Sequence, residues 1–191
     1  MKYFTRAQHD EFNRDGPVDY EALNKECNVQ DELYRKQLEE LMPRLSDSAR
    51  TFFDSVSLHD GTLLVMRIGD DIHKQYSALS TLVVNRRRLS VELEALNRQE
   101  SHLYTLQYVR IHRFVFDFPS AEPWYLRHSD RGDNPIDDWM ADELTALNDQ
   151  ILRHEVLFSS GSTLVIEFES IVVHTRQIEG REGLPYLDEP S

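Results

Sequence analysis

Between residues 1 and 57 the apolar positions recur at helical intervals. Tyr20, Leu23, Cys27, Gln30, Tyr34, Leu38 and Leu41 follow at steps of three or four, which sets them on one helical face. Gly16-Pro17 supplies a start, and Pro43 an end, because proline cannot continue a helix interior. The stripe mixes aromatic and polar members, so packing against a sheet is expected rather than a coiled coil. Leu45, Ala49, Phe52 and Val56 lie one turn apart behind Ser46, a good N-cap, and predict a second helix. A short helix between Thr5 and Arg14 is a weaker expectation.

After Ser57 the period shortens to that of strands. Thr62 to Ile68 is a β-rich run between Gly61 and Gly69, and Thr81 to Val84 a shorter one. Leu89, Val91, Leu93 and Ala95 alternate with polar residues, as in a half-buried strand. The segment from Leu103 to Phe118 is long for one strand. Leu106, Tyr108, Phe114 and Phe116 share one parity and Val109, Ile111 and Val115 the other, so a bulge or break is expected near Arg110 to Arg113. Pro119, Pro123, Gly132 and Pro135 predict a loop, and Trp139, Leu144 and Leu147 a short helix after it. Leu152 to Phe158 and Thr163 to Phe168 flank Ser159-Ser160-Gly161-Ser162 and predict a hairpin. Ile171 to His174 reads as a further strand.

Helices followed by hairpin-linked strands define an α+β class: N-terminal helices packed on a mainly antiparallel β-sheet with a C-terminal hairpin. One domain is expected over 1–176, helical in 1–57, mainly strands in 58–118, an acidic loop and short helix in 119–150 and the hairpin in 151–176. Residues 177–191, with Gly180, Gly183, Pro185 and Pro190, are expected to form an exposed tail.

Composition narrows the class. A hydrophobic fraction of 40% over 191 residues is enough for a core. Cys27 is the only cysteine, which rules out an intrachain disulfide or a cysteine-based zinc site and is compatible with a reducing compartment. No signal-like apolar run and no membrane-length apolar stretch occurs, so a cytoplasmic protein without a membrane partner is expected. The formal charge is −13, and it is uneven. From Asp117 to Asp149 nine carboxylates face only Arg127 and Arg131, which gives −7 in that segment alone. Such a concentration attracts basic partners and repels nucleic acid. Arg86-Arg87-Arg88 is the only basic run, and a solvated or ion-paired cluster is its simpler reading.

Candidate chemistry follows from these placements. Trp124, Tyr125 and Trp139 flank the acidic stretch and, with Asp130, Asp133, Asp137, Asp138, Asp142 and Glu143, could form aromatic anchors within a charged rim. Alternatively, the tryptophans pin the loop to the body of the domain. His59-Asp60, at the expected helix-to-strand transition, could bind a metal or form a base and its orienter. His154, Glu155 and His174 could complete such a site. A turn at Asp60-Gly61 with an ordinary histidine beside it is the simpler account. The chain has no P-loop, dinucleotide fingerprint or nucleophile elbow, so no cofactor is expected and catalysis is not favoured.

Met1-Lys2-Tyr3-Phe4-Thr5, the Leu58-His59-Asp60-Gly61 step, and Arg153-His154-Glu155-Val156-Leu157-Phe158 resemble a family of small bacterial cytosolic proteins that open in nearly the same way. That resemblance transfers no catalytic residues. More loosely, size and charge resemble those of immunity proteins that neutralise bacterial toxins. The leading expectation is a non-enzymatic protein-binding protein that meets a basic partner, a toxin for instance, through its acidic surface. A metal-dependent hydrolase centred on His59 and Asp60 is the alternative. A structural subunit self-associating through a sheet edge or the first helical face is the second.

Overall fold

A computed structural model describes residues 1–12, 17–70, 89–118 and 138–179. Among these residues three helices come first: α1 (Arg6–Phe12), α2 (Tyr20–Leu41) and, after a 3-10 turn at Met42–Arg44, α3 (Asp47–Ser55). Six strands follow among the described residues: β1 (Gly61–Asp70), β2 (Leu89–Leu96), β3 (His102–Asp117), β4 (Asp138–Ala146), β5 (Leu152–Phe158) and β6 (Thr163–Gln177). All pairings are antiparallel, and the expected sheet closes into a barrel in the order β1-β2-β3-β6-β5-β4. The α+β class therefore holds, with closure as the added feature.

Closure disposes of most strand edges, which would otherwise template association. The lap between β1 and β4 is short, pairing only Gly61 with Trp139 and Thr62 with Asp138. Beyond it, helices satisfy strand backbone with side chains. From α2, the Tyr34 hydroxyl accepts from Leu144 N at 3.0 Å and the Gln37 amide donates to Leu144 O at 3.2 Å. At the start of α3, Ser46 donates to Ile171 O at 2.9 Å, and Ser48 accepts from Val173 N at 3.2 Å. Ser46 also caps α3 by accepting from Ala49 N, as its position predicts.

The interior is filled by side chains. Val91, Leu93 and Ala95 of β2, Leu106 and Tyr108 of β3, Val156 and Phe158 of β5, and Leu164, Ile166 and Phe168 of β6 are all buried. Leu38, Leu41, Leu45, Ala49 and Phe52 bring the helical layer into the same core. The irregularity expected in β3 is present: Arg110 has φ 61° and the register with β6 shifts between Ile111 and Arg113. Together these let Tyr108, Ile111, Phe114 and Phe116 all pack on the core despite their mixed parity.

Three expectations need correction. Trp139, Leu144 and Leu147 do not mark a helix, because 138–146 is β4. A register shift between Trp139 and Ala141 makes Met140 an extra residue, so Trp139 and Leu144 are both buried although their odd separation would put them on opposite faces of a regular strand. Ile171 to His174 is no separate strand but the continuation of β6. The tail begins later than residue 177, since Ile178 donates to Ser101 O at 2.9 Å and packs against Leu96 and Leu103. The strand expected at 81–84 lies outside the described residues, as do Arg86 to Arg88 and residues 180–191.

Candidate functional site

The His59-Asp60-Gly61 step forms the corner from which β1 starts. Asp60 takes φ 59°, and its N–H donates to Trp139 O at 2.9 Å. Gly61 is required by close approach: a Cβ there would stand 2.3 Å from Leu96 O and 2.7 Å from Leu58 O. His59 places Nδ1 2.6 Å from Met140 O, and Asp60 pairs with Arg98 at 3.1 Å. Both side chains of the candidate pair thus tie this corner to β4 and to the β2–β3 connection.

His154 is far from an exposed base. It is fully buried on β5, with Nδ1 2.6 Å from the Tyr108 hydroxyl and Nε2 3.1 Å from Asp142 Oδ2. Asp142 accepts a further bond, at 2.9 Å, from the Trp139 indole. Every polar atom of this chain is satisfied when Tyr108 donates to Nδ1 and Nε2–H donates to Asp142. Phe53 and Tyr108 lie against the His154 ring. Burial pushes the Tyr108 phenol well above its ordinary value, and the Asp142 charge adds to the effect. Tyr34 is raised for the same first reason, with Asp142 and Glu143 contributing and its bond from Leu144 N opposing. Both ring nitrogens of His154 are occupied internally, which leaves no free base atom to meet a substrate.

Glu143 and Glu155 hold the N-terminal segment. Glu143 is fully buried; its two oxygens accept from Lys2 N and Tyr3 N, the latter at 2.8 Å. The Met1 amino group lies 3.2 Å from Glu155 and 3.9 Å from Glu143. Tyr3 and Phe4 pack on Tyr34, and Tyr3 donates to Gln37 at 2.8 Å. An open cleft of about 340 Å³ lies beside this contact, lined by Met1, Lys2, Gln37, Glu143, Arg153 and Glu155 among others. Arg153 is already engaged, donating twice to Glu167.

These placements divide the acidic segment. Trp124, Tyr125, Asp130, Asp133 and Asp137 lie outside the described residues. Trp139 and Glu143 cannot act as surface contacts, since both are fully buried. Asp142 points its two oxygens at His154 and Trp139. This inward turn is not legible from the spacing alone, because the extra residue Met140 changes the parity. Asp138, at the start of β4, pairs with Thr62 and exchanges bonds with Ser159, its N–H donating to the hydroxyl at 3.1 Å. Of the metal candidates, only His59 and Asp60 are brought together, 3.7 Å apart, while His174 is exposed on β6. Among the described residues, no three His, Cys, Asp or Glu side chains converge in a metal-holding group. No helix among them is long and apolar enough to cross a membrane.

The chain is thus an α+β protein whose antiparallel barrel is packed solid and stapled by its own helices. Compared with known proteins, it matches no family model, no curated sequence and no solved structure.

Proposed function

We propose that this is a non-enzymatic protein-binding protein, and specifically one that neutralises a basic toxin through its acidic segment. The observation that carries the reading is where that segment is anchored. Asp117 ends β3 opposite Thr163, and Asp138 begins β4 against Ser159, so both flank the 159–162 turn at one end of the barrel. Four carboxylates, Glu122, Asp130, Asp133 and Asp137, lie between those anchors in sequence, opposed by Arg127 and Arg131. Asp117 itself is exposed. A filled barrel that anchors this acidic segment by both of its flanks suits charge-steered encounter with a basic surface. The occupied nitrogens of His154 also weigh against catalysis at that residue.

The test begins with capture of partners from a native lysate at low salt, eluted by rising salt and identified by mass spectrometry. With the partner in hand, Asp133→Lys with Asp137→Lys should lower the association rate about tenfold or more and flatten its salt dependence. Both changes leave the strand residue Asp138 in place. An unchanged rate would remove the segment as the contact surface.

A further inference from the structure

The face of α2 turned to the barrel is the stripe through Tyr34, Gln37, Leu38 and Leu41. A second stripe runs along its flank: Ala22, Glu26, Val29, Leu33, Lys36 and Glu40. Its spacing alternates between four and three, the repeat of a helix–helix seam. All six residues are exposed, with Val29 at 50% and Leu33 at 46%. Two apolar residues at the middle of such a seam, on the outside of the molecule, have no role in the barrel core.

The stripe is complementary to itself when reversed. We propose that α2 pairs with α2 of a second copy of this chain, antiparallel, about a two-fold axis that crosses the seam midway between Val29 and Leu33. In that register Val29 of each copy meets Leu33 of the other, and Glu26 meets Lys36, each contact occurring twice. On the border of the seam Lys25 faces Glu39, again twice, while Glu32 meets its own counterpart once. Four attractive pairs thus stand against one repulsive pair. A parallel pairing would instead stack Glu26 on Glu26 and Lys36 on Lys36. The barrel engages α2 through its C-terminal half, from Tyr34 to Leu41, so the two barrels would sit toward opposite ends of the helix pair.

Sedimentation velocity on the full chain over a range of concentrations tests this. A reversible monomer–dimer equilibrium is expected, and Leu33→Asp should raise its dissociation constant about tenfold or more. Because these positions are exposed, circular dichroism should stay that of the parent. The decisive set is electrostatic. Glu26→Lys alone and Lys36→Glu alone should each weaken the dimer about tenfold, and the double exchange should bring it back to near the parent value. A monomer at every concentration, or a double variant no tighter than the singles, would overturn the proposal.

Discussion

His154 shows how a residue type can mislead about its role. Histidine beside glutamate on a strand invites a metal or acid–base reading, yet its ring bridges Tyr108 and Asp142 inside the barrel. A buried polar chain of this kind is costly when broken at one link, because the remaining groups lose their partners without regaining water. Tyr108→Phe, which deletes one oxygen, should cost about 1–2 kcal/mol of stability. His154→Ala, which orphans two groups and opens a cavity, should cost about 3 kcal/mol or more. In urea unfolding the double variant should lose less than the sum of the two. Strict additivity would mean that the hydroxyl and the ring are not one unit.

At the scale of elements, the helices complete the barrel as well as covering it. Ser46 and Ser48 occupy the backbone of β6 at Ile171 and Val173, a job a neighbouring strand would normally do. Replacing both with alanine should destabilise the protein by about 2 kcal/mol, since a cap and two strand partners vanish together. Hydrogen exchange at the Val173 amide should accelerate, while that of the Val156 amide in the β5 ladder changes far less. Most elements were legible in sequence because their periodicity is clean: the stripe of α2, the alternation of β2 and the Ser-Ser-Gly-Ser hairpin all appear where expected. β4 was not, since one inserted residue, Met140, breaks the two-residue period on which a strand reading depends. Closure was equally hidden, as it depends on Gly61 and Thr62 meeting residues more than seventy positions away. For the site the same limits applied: His59 and Asp60 are adjacent in sequence and remain together, whereas the link from His154 to Tyr108 and Asp142 exists only once β3, β6, β5 and β4 lie side by side.

The whole molecule should show its electrostatics at both ends of the pH scale. Burial raises the phenols of Tyr34, Tyr104 and Tyr108 above their ordinary value near 10. A raised folded-state value contributes stability that is complete below about pH 10 and lost as pH climbs through it. In a spectrophotometric titration these phenols should therefore ionise together with alkaline unfolding. On the acid side, burial pushes Glu167 up, but Arg153 and Arg113 outweigh it and hold the carboxyl below the ordinary glutamate range; Arg110 does the same for Glu169. Their contribution is present above about pH 4.3 and fades as acid drops below it. Arg153→Met should shift the acid midpoint upward.

The anchoring of the N-terminal segment has a consequence for the order of biosynthesis. Tyr3 finds its acceptor on Glu143, 140 positions later in the chain. At ribosomal speeds of about 5–20 residues per second, about 7–28 seconds separate the making of the two. For that interval the Tyr3 N–H has no carboxylate to donate to, and α2 lacks the strand that Tyr34 and Gln37 serve. The N-terminal segment is thus made well before the strand that seats it, and Tyr3 waits for its acceptor until the second half of the barrel exists.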